Sequence, residues 1–208
     1  MTEIILVRHG ETELNTAGVF RGRADVALNE RGRSQAEAVG RALSTAPLAA
    51  VYSSPMVRAL DTARAVAAPH ELEPIVDQAF NNIDLGEWQG ASKELVEREQ
   101  PELWRLWRDD PDALRIPGGE TLADVRERAY ARTVELARAH QDARIAVVSH
   151  RSVAKLLAGA LMGMESGYFW RFYLDNAGYS VFGFSGGRFM LLRWNEACHL
   201  DERTVEYL

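Results

Sequence analysis

Ile4-Ile5-Leu6-Val7-Arg8-His9-Gly10-Glu11 sets four apolar residues directly before an arginine, a histidine and a glycine. A second apolar run, Ile145-Ala146-Val147-Val148, passes through Ser149 into His150. Short apolar runs without polar alternation read as strands buried on both faces. Two such strands, each ending at a histidine, predict a parallel sheet that delivers two imidazoles to one edge. The carboxyl ends of the strands are where open α/β sheets build their ligand sites.

The strand signal recurs at 49–52 and 179–184, and Gly186-Gly187 turns the latter into a partner at 189–194. Helical spacing fills the intervals. Residues 31–43 follow Asn29, and residues 55–67 follow Ser54, a residue suited to the N-cap, with Pro55 at the first helical position. Leu122, Val125, Ala129 and Leu136 mark a helix over 121–139, and Val153, Leu156 and Leu157 mark another over 152–162. This alternation predicts a three-layer, doubly wound, mostly parallel α/β sheet with helices on both faces. The glycine hairpin is expected at or near a sheet edge, a place that suits a two-fold homodimer. Residues 92–115, with Trp104, Leu106 and Trp107 close together, read as a small helical cap over the functional edge. No shift in composition divides the chain, so one domain over 1–208 is expected.

With 47% hydrophobic and 26% charged residues, the composition is that of a globular chain able to bury a substantial core. A net charge of -6 without a basic stripe argues against a nucleic-acid surface. An anionic substrate would then need a local pocket built from a few arginines. No apolar run approaches the length of a signal-peptide core or a membrane span, so no membrane partner and a cytoplasmic location are expected. The single Cys198 allows no internal disulfide, and His199 beside it lacks the further ligands of a zinc site. There is no Walker loop and no Asp/His cluster with metal spacing, so no metal and no other cofactor is expected.

A histidine at a strand-to-loop junction is either a nucleophile or a structural side chain hydrogen-bonded in a turn. Arg58 lies just inside the helix after Ser53-Ser54-Pro55, near the free amides of a helix start, where Arg8 and Arg58 can together clamp an anion. Two histidines and two arginines at three strand ends are what phosphoryl transfer through a phosphohistidine needs. One imidazole attacks phosphorus, the guanidinium groups neutralise the oxygens, and the second imidazole donates a hydrogen bond to developing charge.

Further motifs carry a resemblance. Beyond Arg8-His9-Gly10-Glu11-Thr12-Glu13-Leu14-Asn15 come Arg21-Gly22 with Asp25 and Leu28, and Ser53-Ser54-Pro55 with Arg58-Ala59 and Thr62-Ala63. Gly86-Glu87-Trp88-Gln89-Gly90, Pro117-Gly118-Gly119-Glu120-Thr121 and Val148-Ser149-His150 complete the set. In these segments, and in their order, the chain resembles the histidine phosphatase superfamily, the phosphoglycerate-mutase-like family. The resemblance implies that His9 is the phosphorylated nucleophile and that Arg8, Arg58 and His150 form the rest of the phosphate pocket. It implies that Asn15 hydrogen-bonds the phosphate and that Arg21 and Gly22 line the substrate entrance. Without it, Asn15 reads as a loop cap and Arg21 as a solvated charge.

Two positions depart from the family pattern. Where a general-acid glutamate stands four residues before the glycine of Gly86-Glu87-Trp88, this chain has Asn82, which cannot transfer a proton. Asp84, two residues on, is the nearest replacement acid, with Asn82 left to position substrate. Asp84 reads equally as a structural turn residue. Arg151 stands where the family has glycine after the second histidine, and either binds a second anionic group of the substrate or folds into solvent.

The leading expectation is a phosphatase for a small phosphorylated metabolite. Phosphoglycerate mutases of the family carry a central insertion absent here, which helps exclude water, so mutase-type transfer ranks second. A phosphate-ligand-binding protein with chemistry weakened at Asn82 is the third reading.

Overall fold

A computed structural model of the chain describes residues 1–15 and 17–201. The chain runs through β1 (Thr2–Arg8), α1 (Glu30–Leu43), β2 (Ala50–Ser53), α2 (Val57–Ala67) and the short β3 (Ile75–Val76). There follow α3 (Lys93–Glu99), α4 (Pro101–Asp109), α5 (Leu122–Ala139), β4 (Arg144–Ser149), α6 (Arg151–Leu161), β5 (Tyr179–Ser185) and β6 (Arg188–Glu196).

The strands form one sheet in the order β3-β2-β4-β1-β5-β6. β3, β2, β4 and β1 are parallel, and the β5–β6 hairpin is antiparallel at the edge beyond β1. Successive strand side chains point to opposite faces, so each apolar run feeds two cores. Ile4, Leu6, Ile145 and Val147 face a core closed by α5 and α6. Ile5, Val7, Ala146 and Val148 face the core under α1 and α2. The fold is the doubly wound α/β sheet expected from the sequence, with helices on both faces.

Register fixes where the strands end. Arg8 lies opposite Ser149, and Ser53 opposite Val148, so β1, β4 and β2 finish nearly level. His9, His150 and Ser54 leave the sheet there as neighbours.

The helix starts explain one departure from expectation. Asn29 caps α1 through Gly32 N at 2.7 Å, and Thr121 with Asp124 forms a capping box on α5. α2, however, begins at Val57 rather than Pro55, and Ser54 does not cap it. Asp25, far away in sequence, caps it instead, its Oδ1 accepting from Val57 N at 2.8 Å. One of the amides expected to be free at this helix start is therefore already taken by a carboxylate of the chain itself. β3 escaped the sequence reading because two exposed residues carry no periodicity. Among the described residues, no helix is long and apolar enough to cross a membrane.

Candidate phosphate-transfer site

His9 is fixed from both sides. Its amide donates to Ser149 O at 3.0 Å, and its carbonyl accepts from Asn176 Nδ2 at 3.1 Å and Ala177 N at 3.2 Å. Gly10 donates to Thr62 Oγ1 at 3.1 Å, and a Cβ on it would stand 2.3 Å from the carbonyl oxygen of Gly32, so only glycine fits. The His9 ring places Nδ1 2.6 Å from Gly10 O. A carbonyl can only accept, so Nδ1 carries the proton and Nε2 keeps its lone pair. Burial, then Arg58 and Arg8, hold the His9 pKa well below 6.5, so the ring is neutral at pH 7.

Arg8 is almost wholly buried at 1% exposure and donates from Nη1 to Leu174 O at 2.6 Å. Arg58, at 2%, donates from Nη1 to Ala24 O at 2.8 Å and from Nη2 to Gly22 O at 3.2 Å. Its Nε is buried with no partner in the protein. Burial and the neighbouring Arg21 lower its pKa to about 10, which still leaves it cationic at neutral pH.

His150 meets His9 ring to ring, with centroids 5.1 Å apart. Its Nε2 lies 2.7 Å from Ser54 Oγ, and its Nδ1 is buried without a protein partner. Burial, followed by Arg58 and His9, keeps its pKa well below 6.5. Arg58 Nε and His150 Nδ1 are thus two buried polar atoms without a protein partner, and the charge of Arg58 is felt at His150. Each costs roughly 1–3 kcal/mol unless a ligand satisfies it, and an anion would satisfy both.

A cavity of about 410 Å³ opens beside His150, with Asn15, Arg21, Gly22, Asn82 and Arg151 in its wall. Lys93 at the start of α3, Trp107 of α4, Phe169 and Trp170 complete another side. Trp107 also stacks edge-on against Trp170, at 4.9 Å between centroids, so it packs and lines at once. Asn15 Oδ1 accepts from the amide and hydroxyl of Thr12 at 2.8 and 2.9 Å, which ties the first motif into a closed turn.

The two residues at the acid position part company. Asn82 is in the wall, its Nδ2 donating to Gly22 O at 2.7 Å and its Oδ1 buried without a partner. Asp84 does not line this cavity, and neither do His9, Arg8 and Arg58, so what sets Asp84 apart is its contacts. Its Oδ2 accepts from Arg23 at 3.2 Å, its Oδ1 accepts from Gly86 N at 3.0 Å, and its own amide donates to Glu120 Oε2 at 2.9 Å. Glu120 further binds Arg128 at 2.9 Å, and Arg128 reaches the carbonyls of Ala79, Asn81 and Asn82. The Arg23, Asp84, Glu120 and Arg128 network holds the backbone on which Asn82 sits. Ionic side chains with every oxygen engaged brace a loop; they are poorly placed to deliver a proton.

Sequence reasoning missed Ser54 as a partner of His150, Asp25 as a remote cap, and Lys93 as a wall residue. Only tertiary contacts bring them in, although Ser54 and Asp25 do fall in segments singled out above. Among the described residues, no group of three or more His, Cys, Asp or Glu side chains gathers as metal ligands would.

A neutral imidazole with a free lone pair, set among buried arginines at the strand ends of a doubly wound sheet, defines an α/β phosphoryl-transfer centre. The chain belongs to the histidine phosphatase superfamily (branch 1), whose family model matches residues 4–197. It is 38% identical to phosphoserine phosphatase 1 of Hydrogenobacter thermophilus, over 99% of this chain and 98% of that protein. Its fold matches that of Bacillus stearothermophilus YhfR with a TM-score of 0.92, at 27% identity over 97% of this chain and 100% of the other. It also matches a phosphoserine phosphatase from Entamoeba histolytica, solved in complex with 3-phosphoglyceric acid, at TM-score 0.87 and 29% identity, covering 96% and 100% of the two chains.

Proposed function

We propose that the chain is a phosphomonoester hydrolase that works through a phosphohistidine on His9. Nε2 of His9 attacks phosphorus, the phosphorus–oxygen ester bond breaks, and the alkoxide leaves with a proton taken from the site or from water. Water then attacks the phosphohistidine, the N–P bond breaks, inorganic phosphate departs and His9 returns to its neutral form. Arg8 and Arg58 neutralise the phosphoryl oxygens and His150 donates to them, with Asn15 completing the pocket. The observation that carries this reading is the His9 Nδ1 contact to Gly10 O, which leaves the nucleophilic nitrogen unprotonated.

Asn82 faces the substrate, and Asp84 serves as a brace for the loop rather than as the acid. Turnover of substrates with poor leaving groups is then slower by about a hundred- to ten-thousand-fold than with a general acid in place. Residues 92–115 act as a cap that supplies Lys93 and Trp107 to the wall of a single catalytic domain spanning 1–208. Arg21 and Gly22 border the entrance. Arg151 and Lys93 favour a small phosphorylated metabolite with a carboxylate near the phosphate, and the name of the Hydrogenobacter relative, phosphoserine phosphatase, agrees with this. The exposed thiol of Cys198 fits a reducing cytoplasm, and the exposed edge strand β6 fits a homodimer. Hydrolysis stands ahead of mutase transfer because two of the relatives named above, from Hydrogenobacter and Entamoeba, are named phosphoserine phosphatases. It stands ahead of mere binding because a poised Nε2 has no use in a binding protein.

The test is rapid quenching with ³²P-labelled phosphoserine. Acid-labile, base-stable label on His9 is expected, and His9→Ala should lose both the label and turnover. Undiminished turnover in His9→Ala overturns the proposal, and label released only to 3-phosphoglycerate would establish mutase transfer.

A further inference from the structure

Ser54 follows β2 and has no exposed surface. Two contacts surround its hydroxyl: Met56 N at 3.3 Å and His150 Nε2 at 2.7 Å. The amide of Met56 can only donate, so it occupies a lone pair of Oγ and turns the hydroxyl proton towards the imidazole. Were Nε2 the protonated nitrogen, it would donate to Oγ as well. The hydroxyl proton would then be buried with no acceptor among these contacts, at the cost of an unmade hydrogen bond.

We propose that Ser54 is a positioning residue for phosphoryl transfer, its hydroxyl donating to Nε2 of His150 and so fixing the proton of that imidazole on Nδ1. This deepens, and rests on, the hydrolase reading above. Nδ1 is the buried nitrogen that the protein leaves without a partner. In this tautomer it offers an N–H to a phosphoryl oxygen; in the other it would present a lone pair to an anion and repel it. The tautomer matters because burial and Arg58 keep His150 neutral, with a single proton to place. The two imidazoles thus receive the same tautomer from opposite partners. A carbonyl accepts from Nδ1 of His9 and leaves a lone pair for phosphorus, whereas a hydroxyl donates to Nε2 of His150 and leaves an N–H for oxygen.

The test is long-range ¹H–¹⁵N correlation spectroscopy of the full chain labelled in histidine, at pH 7.5 and without substrate. Wild-type His150 should show protonated Nδ1 and unprotonated Nε2. Ser54→Ala should populate the other tautomer and lower kcat/KM by about ten- to a hundredfold, the range expected for losing one hydrogen bond that orients a charged-site donor. Ser54→Thr, which keeps the hydroxyl, should restore both. A protonated Nε2 in the wild type overturns the proposal, as does Ser54→Ala losing activity with an unchanged tautomer. Because the spectrum needs no turnover, failure to find phosphohistidine would remove the hydrolase reading while leaving the tautomer result to stand or fall alone.

Discussion

The rings of His9 and His150 meet edge to face, their centroids 5.1 Å apart and their planes inclined by 61°. Burial disfavours a charge on either ring, and Arg58 beside both, with Arg8 beside His9, adds to this, which is why both pKa values fall well below 6.5. The reactive form of His9 is the neutral one, so activity is lost only as pH falls through its folded pKa. With an aryl phosphate, kcat/KM should stay level down through pH 6.5 and show its acid limb below that value. A limb centred at 6.5 or higher would mean that the arginines and burial do not act on the nucleophile as described.

Stability should carry the same signature. In the unfolded chain both histidines take up protons near pH 6.5, while the folded chain refuses them, so the unfolded state binds more protons below that pH. Stability is then fully present above about pH 6.5 and falls as the pH drops towards the folded pKa values. The loss is about 1.4 kcal/mol per pH unit for each histidine. Urea midpoints across pH 7.5 to 5.5 measure it, and His9→Gln should remove the His9 share of the slope, leaving that of His150 and of His199, whose pKa burial also lowers. An unchanged slope in that variant would place the titration elsewhere.

Asn82 occupies the wall position where a proton donor would help. Asn82→Glu should raise turnover of an alkyl phosphate by about tenfold or more and leave p-nitrophenyl phosphate nearly unchanged, because that leaving group scarcely needs an acid. The substitution also gives up the bond to Gly22 O, so KM should rise modestly. Equal effects on the two substrates would show that protonation does not limit the reaction.

Asp84→Asn separates brace from acid. The variant weakens the contact with Arg23, which is about one-third exposed, and should cost about 0.5–1 kcal/mol in urea unfolding. Turnover of an alkyl phosphate should change by no more than about threefold. A fall of a hundredfold or more would restore Asp84 as the proton donor.

What was readable in the sequence was what local chemistry alone dictates. The apolar runs through Val7 and Val148 are continuous because both faces of a parallel strand are buried, so the sheet and the level of His9 and His150 followed from them. Spacing separated neither Asn82 from Asp84 nor Ser54 the cap from Ser54 the partner of His150. The first choice depends on Arg23 and Glu120, and the second on His150, all remote in sequence. Local propensity favoured serine as a helix cap; a buried imidazole competed for the same hydroxyl and won.

Asp25 shows how such remote contacts carry function. Its carboxylate caps α2 at Val57, and the carbonyls of Gly22 and Ala24 on the same loop hold the guanidinium of Arg58 one residue further along that helix. Asp25→Ala should cost about 1 kcal/mol as a lost cap. By loosening the loop from α2 it should also weaken binding of inorganic phosphate, with a rise in Ki of several-fold. Asp25→Asn retains a capping oxygen but no charge, so it should recover most of the stability and most of the phosphate affinity. Should the asparagine variant bind phosphate as poorly as the alanine one, the carboxylate would be acting on Arg58 through its charge, which raises the Arg58 pKa against burial. Calorimetric titration of phosphate into the three proteins, alongside their urea midpoints, distinguishes the mechanical from the electrostatic role.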